Sequence, residues 1–482
     1  MDELVLGIDI GTTAVKAAAF DRAGRQVFGY ADNHPTLRAP GGIVEQDPSE
    51  WMMRVRAILA GLARQGLLAR IRAVGITSQV NSHVFVGDDG KPLHPAIIWQ
   101  DGRCAAAARA LDAQVAAEDR MRWWGAPLPI DASHALARMA WMAEQRPEIW
   151  AQTRAVLLPK DYVIRALTGV WISDPMSNIG LVGPDLAYVP ELLALVPGAA
   201  ERLVPLADAA DVAGRVPLAP GLPEVPVSVG IMDAWAGMIG VGMRAEGDAV
   251  YLSGTSEVLG LVSQVAHPVP GVLVFPTLGD ITLHAGPTQS GGASVAWFCA
   301  TFGVTPETMA AEAGVAGAAP LFLPHLAGER APIWDAGARG AFLNLSAEMG
   351  RPEMARGVYE GVACSARLLL DALEASAGRP AGAMLCGGGG FRSDRWNQIR
   401  ADMLGRPLKR LAVRDPGVLG AAALASVAGG LHGSLAAALD EIVVHDRTYE
   451  PDPARHASYA ELFARYRAAY EALRALRPPQ AG

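Results

Sequence analysis

A strand–turn–strand pattern occurs twice in this chain, roughly half its length apart. In the first copy, "LVLGIDIGTTAVKAAAF" (4–20), the apolar runs Leu4 to Ile8 and Val15 to Phe20 both read as strands, so the link between them is a tight turn. That turn carries the carboxylate of Asp9, then Gly11, the hydroxyls of Thr12 and Thr13, backbone N–H groups and, three residues on, Lys16. The second copy, "GDAVYLSGTSEVLGLVS" (247–263), again has an apolar strand, a turn of Gly254, Thr255 and Ser256, and another apolar strand. An acid, a lysine, hydroxyls and backbone N–H groups suit a bound phosphate and its metal ion. A hairpin with merely polar turn residues is the competing reading. The repetition predicts duplicated α/β halves that each offer one such hairpin.

A chain of 482 residues exceeds one ordinary core, and two large domains are expected, 1–243 and 244–482, with the boundary in "GMRAEGD" (242–248). Hydrophobic residues make up 51% and charged residues 19%, which describes a globular chain with ample core. A net charge of −8 gives no basic footprint for nucleic acid, so small soluble substrates fit better. Cys104, Cys299, Cys364 and Cys386 are far apart with no CxxC, so neither a zinc site nor a disulfide framework is signalled and a reducing cytosol fits. "MDELVLGID" lacks the basic and apolar regions of a secretory signal, and a cytoplasmic location is expected. The tract Pro416 to Leu439 carries no formal charge, yet it is Ala-rich and broken by Gly429-Gly430 and His432. It therefore reads as a buried helix and a following segment, not a membrane span.

Strands are expected at 4–10, 14–20 and 26–31, with a turn at Asp21 to Gly24. Asp47-Pro48-Ser49-Glu50 then starts a helix whose Met52, Val55, Leu59 and Leu62 share one face. A strand follows at 72–79, completing a mixed α/β unit whose ligand belongs where strands end and turns begin. Near the end of the chain Tyr459, Leu462, Phe463, Tyr466, Tyr470 and Leu473 form a packing stripe on an amphipathic helix. No GxxxxGK[ST] is present, so a P-loop ATPase is excluded. Asp233 lies between the apolar "VPVSVGIM" and the small-residue "AWAGMIGVG", where an acid could serve as a simple helix cap. Gly387, Gly388, Gly389 and Gly390 allow close backbone approach to a flat ligand, or form a flexible turn.

The blocks "GIDIGTTAVKA", "AIIWQDGRC" (96–104), "LLPKDYVIRALTG" (157–169), "VSVGIMDAWAGMIGVG" (227–242), "YLSGTSEV" (251–258), "FLPHLAGERAP" (322–332) and "LCGGGGFRSDRWNQIRADMLG" (385–405), in this order and spacing, resemble the FGGY carbohydrate kinases and, among them, the xylulokinase group. The resemblance covers nearly the whole chain. It implies two duplicated domains of the actin, hexokinase and Hsp70 (ribonuclease H-like) fold around a central cleft, with sugar on the first domain and nucleotide on the second. It also implies ATP and Mg²⁺ as cofactors. Asp233 matches the catalytic base, and Asp9 would hold the metal, through water. Gly11, Thr12, Thr13, Lys16, Gly254, Thr255 and Ser256 would meet the phosphates, and Gly387 to Gly390 the adenosine. Candidates for the sugar are Gln79, Val80, Asn81, Trp99 as an apolar wall, Asp101 and Asp233.

Asp101 and Arg103 could equally be a structural ion pair. His83 reads as structural rather than catalytic, and Lys160 and Asp161 as scaffold. The family's Gln-Met-His-Gly is here Gln79-Val80-Asn81-Ser82, and Ala234 follows Asp233 where Asn or Gln is common; Arg138 stands for a Lys and Asn344 for a Gly. These departures leave open which sugar is used: a ketopentose such as D-xylulose is expected first, then another ketose or a polyol such as erythritol or glycerol. An ATP-driven conformational switch and a catalytically silent relative are the rival classes. The expected partner is a small sugar or polyol, with no nucleic acid and no membrane, and a homodimer is left open.

Overall fold

The computed structural model describes residues 3–124, 128–267, 269–315 and 317–476. It divides into two compact units, Met1–Gly242 with Pro416–Val443, and Met243–Asp415 with Val444–Gly482.

The first unit is built on a six-stranded sheet. Strands β1 (Leu4–Ile10), β2 (Ala14–Phe20) and β3 (Gln26–Asn33) form an antiparallel meander, and β4 (Ile71–Ser78) adds in parallel to the other side of β1. β5 (Val212–Pro217) and β6 (Glu224–Ser228) complete the order β5-β6-β4-β1-β2-β3, with β6 parallel to β4. β1 and β4 are apolar along nearly their whole length because both faces are covered, as a parallel sheet centre requires. On one face lies the helix Pro48–Arg64. Asp47 caps it by accepting from the Ser49 N–H, Pro48 is its first residue, and Trp51, Val55, Ile58 and Leu62 enter the core with Leu6, Ile8, Val74 and Ile76.

The other face is covered by the helix Pro416–Ala428, which corrects the expected boundary: residues 416–443 belong to the first unit although they follow most of the second. The cause is a set of glycines that let backbone meet backbone. A Cβ on Gly7 would stand 2.0 Å from the Val418 carbonyl oxygen, one on Gly75 1.9 Å from that of Ala421, and one on Gly420 1.8 Å from that of Ala236. The helix is thereby clamped onto β1, β4 and the helix Asp233–Gly240. The uncharged tract is thus a buried helix followed by the helix Leu435–Ile442, and among the described residues no helix is long and apolar enough to cross a membrane.

The second unit repeats the plan with β7 (Ala249–Ser253), β8 (Glu257–Val262), β9 (Leu273–Val274), β10 (Leu283–Pro287), β11 (Met384–Gly387), β12 (Leu408–Leu411) and β13 (His445–Tyr449), in the order β9-β10-β8-β7-β11-β12-β13. The hairpin β7–β8 has parallel β11 beside β7, as the hairpin β1–β2 has parallel β4 beside β1. The long helix Arg351–Ala377 and the helix Pro453–Ala475 fill its core, the latter burying Tyr459, Leu462, Phe463, Tyr466 and Tyr470 with Leu473 packed partly against them.

Candidate active site

In the first unit the candidate residues gather at the carboxyl ends of three neighbouring strands. Asp9 sits one residue from the end of β1 and faces Lys16 across the hairpin register, Gln79 follows β4, and the segment after β6 bridges to Ser78 at Met232 before the chain enters the helix Asp233–Gly240. Ligands of open α/β sheets bind at such strand ends. The N-terminus of the helix Pro416–Ala428 arrives at the same place. A Cβ on Gly417 would stand 3.9 Å from Asp9 Oδ2 and 3.9 Å from the Asp233 carbonyl oxygen, in ordinary contact with both, so this helix N-terminus lies beside the two acids' residues.

Asp233 is the first residue of its helix, with Met232 in the capping position, so it is not the simple cap that was one reading. Its Oδ1 accepts from the Ala234 N–H at 2.8 Å. Burial pushes its carboxyl up to about 6, against the lowering effect of the backbone hydrogen bonds, while the side chain stays half-buried. At neutral pH such a group is mostly ionised and yet a better proton acceptor than an ordinary aspartate. Asp9 is also half-buried, and among the described residues no group of three or more His, Cys, Asp or Glu could form a metal cage. A carboxylate at a strand end, beside a turn of backbone N–H groups and hydroxyls, fits Mg²⁺ held through waters and substrate phosphates, which is how this reluctantly dehydrated ion is commonly bound.

The first hairpin turn is held from three sides. Gly11 N–H donates to the Ala14 carbonyl, His34 Nε2 lies 2.9 Å from the Gly11 carbonyl oxygen, and Gln46 Nε2 donates to the Thr12 carbonyl at 2.7 Å. Gln79 Nε2 in turn donates to Gln46 Oε1 at 2.9 Å, and the Trp99 indole N–H donates to Thr12 Oγ1 at 2.9 Å. Trp99 has a polar role beside the apolar wall expected of it: 41% exposed, it ties its own loop to the hairpin hydroxyl. Gln79 is buried and its Oε1 has no protein partner among the described residues, which leaves an acceptor for a ligand hydroxyl. Val80 and Asn81 are half-buried beside it, Asn81 with φ +51° and its Nδ2 3.3 Å from Ser133 Oγ. His34 and Gln46 were not singled out by sequence, because each reaches the turn only through the fold.

Asp101 departs from the sugar-contact expectation. Its side chain is sealed by Arg103, which donates from Nε and Nη2 at 2.7–3.0 Å, and by the Val44 N–H, and Arg103 also pairs with Glu45 at 2.7 Å. No exposed carboxylate oxygen is left to meet a sugar, so the residue fixes the loop that carries Trp99. Lys160 is likewise buried, bonded to Asp161 at 2.6 Å and Asp174 at 2.8 Å and to the Val229 carbonyl, so it braces the segment before Asp233. Burial opposes its charge, but the two carboxylates outweigh that and hold its proton on.

In the second unit the turn Gly254, Thr255, Ser256 is accessible, and the carbonyls of Gly254 and Thr255 accept from the first amides of the helix Gly292–Phe302. The glycine run packs onto this hairpin. Gly387 is buried at the end of β11, Gly388 has φ +98° with a Cβ position 2.5 Å from the Ser253 carbonyl oxygen, and a Cβ on Gly390 would strike Ser253 Oγ at 2.0 Å. Gly388 and Gly390 thus make room for Ser253, whereas Gly389 is exposed with nothing within 4 Å of its Cβ position. Buried Arg400 locks the arrangement, donating to the Gly390 carbonyl, Ser253 Oγ and Glu257.

Residues 4–240 match the N-terminal domain, and residues 249–429 the C-terminal domain, of the FGGY family of carbohydrate kinases. The chain belongs to that family. The xylulose kinase of Escherichia coli K12 is 30% identical over 98% of this chain and 99% of its own. Among solved structures, a ligand-bound xylulose kinase from Lactobacillus acidophilus superposes with a TM-score of 0.87 at 27% identity, covering 98% of this chain and 99% of that one. A gluconate kinase from the same organism does so equally, with a TM-score of 0.87, 27% identity and 98% coverage of both chains. This carbohydrate kinase accordingly has the actin/hexokinase-like α/β fold and transfers phosphate from ATP to a sugar.

Proposed function

We propose that the kinase uses MgATP to phosphorylate a hydroxyl of a neutral ketose, with a ketopentose such as D-xylulose as the first candidate, and that Asp233 is the general base. The observation that carries this reading is the placement of a half-buried carboxylate, raised to about 6, at the strand ends where Asp9 and Gln79 also stand. In the step, the sugar hydroxyl gives its proton to the Asp233 carboxylate while its oxygen bonds the γ-phosphorus. The bond from that phosphorus to the bridging oxygen breaks, and the electron pair leaves on ADP. Phosphoryl transfer asks the protein for positioning and charge neutralisation more than for covalent chemistry. Gly11, Thr12, Thr13 and Lys16 would receive the transferring phosphoryl group, Asp9 would hold Mg²⁺ through water, and Gln79 Oε1 would accept from a sugar hydroxyl. Bound Mg²⁺ supplies charge neutralisation at the phosphates. Gly254, Thr255, Ser256 and the exposed Gly389 would serve the nucleotide.

Charge favours a neutral sugar over an aldonate such as gluconate. Among the described residues, the buried cations behind the sugar-side loops are committed: Arg103 to Asp101 and Glu45, Arg138 to backbone carbonyls, Lys160 to Asp161 and Asp174. A substrate carboxylate would find no partner among them. An acidic chain with free thiols also fits the cytoplasm, where ATP is made and cysteines stay reduced.

The test is ADP release with MgATP against ketopentoses, ketohexoses, short polyols and gluconate, beside the Asp233→Asn variant. Release driven by one neutral ketose, and lost in the variant, is expected. No sugar-dependent release from folded protein, or gluconate as the best substrate, would overturn the reading.

A further inference from the structure

We infer that Arg138 is a positioning residue for sugar recognition: its buried guanidinium ties together the two loops that present Asn81 and Trp99. The inference rests on the reading of those loops as the sugar side. Arg138 lies on the helix Ala135–Gln145, its side chain wholly buried, and none of its partners among the described residues is a carboxylate. An uncompensated buried cation is costly, and ion pairing is the usual remedy. Here the remedy is backbone. Nη1 donates to the Asn81 carbonyl and, at 2.9 Å, to that of Ile97, and Nη2 donates to the Ile98 carbonyl at 2.6 Å. His83 Nδ1 stands 2.8 Å from Nη1. Burial and the guanidinium keep His83 well below its usual titration range, so its imidazole is neutral and can accept there.

These acceptors belong to two segments far apart in sequence. One is 79–83, which carries Gln79, Val80 and Asn81. The other ends at Ile98, immediately before Trp99. Asn81 holds φ +51°, in the left-handed region that asparagine tolerates best among non-glycine residues, and the Arg138 bond to its carbonyl helps hold it there. One planar head with several donors therefore fixes both the backbone twist that aims Asn81 and the spacing between Asn81 and Trp99. Arg138 touches no reacting atom.

The experiment compares wild type with R138M and R138K, using backbone hydrogen exchange together with KM for the best neutral sugar of the panel and for MgATP. In R138M, exchange rises at least tenfold in peptides covering 79–83 and 97–101 and not in the hairpin of the second unit. Sugar KM rises tenfold or more with MgATP KM within twofold, and R138K, which keeps a charged donor, lies closer to wild type than R138M does. Should R138M fail to fold, R138Q, with two donors on a neutral head, carries the test by the same criteria. Folded variants with unchanged exchange in both segments, or with the two KM values moving in parallel, overturn the inference. Absence of sugar turnover in wild type would sink the proposed function, and the exchange measurement would still decide whether Arg138 holds the loops.

Discussion

Replacing Asp233 by Asn separates the two consequences of burying a carboxylate where a base is needed. The amide keeps an oxygen for the Ala234 N–H, so local geometry survives. What disappears is the cost of ionising a buried acid. With a folded value of about 6 against 3.8 for the exposed group, that cost above neutral pH is at most about 3 kcal/mol, from 2.303RT per unit of difference. Partial exposure to water screens the charge, and about 1–2 kcal/mol is expected. The sign follows from proton binding. The folded chain holds this proton more tightly than the unfolded one, so the wild type is relatively better off at low pH and loses stability as pH rises through 6. Asp233→Asn, neutral throughout, should therefore melt higher than wild type at pH 8, and the gap should shrink by about half at pH 5. Turnover should fall by roughly 10²- to 10⁴-fold, the usual worth of a general base. Thermal unfolding across pH 5–8 and coupled ADP release check both. A variant that is less stable than wild type at pH 8 would refute the burial reasoning, and one with near-normal turnover would refute the assignment of the base.

Three further outcomes are expected. The profile of kcat/KM against pH should show an acid limb with an apparent value near 6, activity dropping tenfold per unit below it, because the base works only when ionised; a rate flat to pH 5 would contradict this. Gly420→Ala should destabilise the first unit by roughly 1–3 kcal/mol or more, since its Cβ would overlap the Ala236 carbonyl oxygen, and a melting temperature equal to wild type would show that the helix can shift freely. Gly389→Ala, by contrast, places its Cβ in open space and should leave melting unchanged to within about 0.5 kcal/mol while raising MgATP KM several-fold; an unchanged KM would remove that turn from the nucleotide's path.

Much of this was legible in the sequence wherever local chemistry decides the structure. The hairpins announced themselves because apolar strands flank turns of Gly, Thr and Ser, and the helix after Asp47 because Pro48 and the apolar spacing agree with its cap. Asp233 stood out by its place between a strand and a small-residue helix, although its raised proton affinity depends on neighbours distant in sequence. The partners of the first turn were not legible, because His34, Gln46 and Trp99 meet it only through tertiary packing. The same holds for Asp101, whose neighbour Arg103 hinted at a pair but whose second partner, the Val44 N–H, comes from the strand Ile43–Gln46. Arg138 could be noticed as a substitution, yet three backbone carbonyls leave no trace in a sequence. Nor could the sequence tell that, of these glycines, Gly388 and Gly390 make room for Ser253 while Gly389 faces open space.

The return of residues 416–443 to the first unit sets an order of events during synthesis. Until that segment leaves the ribosome, the sheet carrying Gly7 and Gly75 lacks the helix that covers it, and Gly240 lacks its partner at Pro416. At about 5–20 residues per second, the wait between residue 242 and residue 443 is on the order of 10–40 s, with one apolar sheet face uncovered. During that interval the sheet face that will meet the helix Pro416–Ala428 is open to other apolar surfaces. A fragment cut at residue 243 would stay in that condition, while adding 416–443 back as a separate peptide would supply the missing lid of its core.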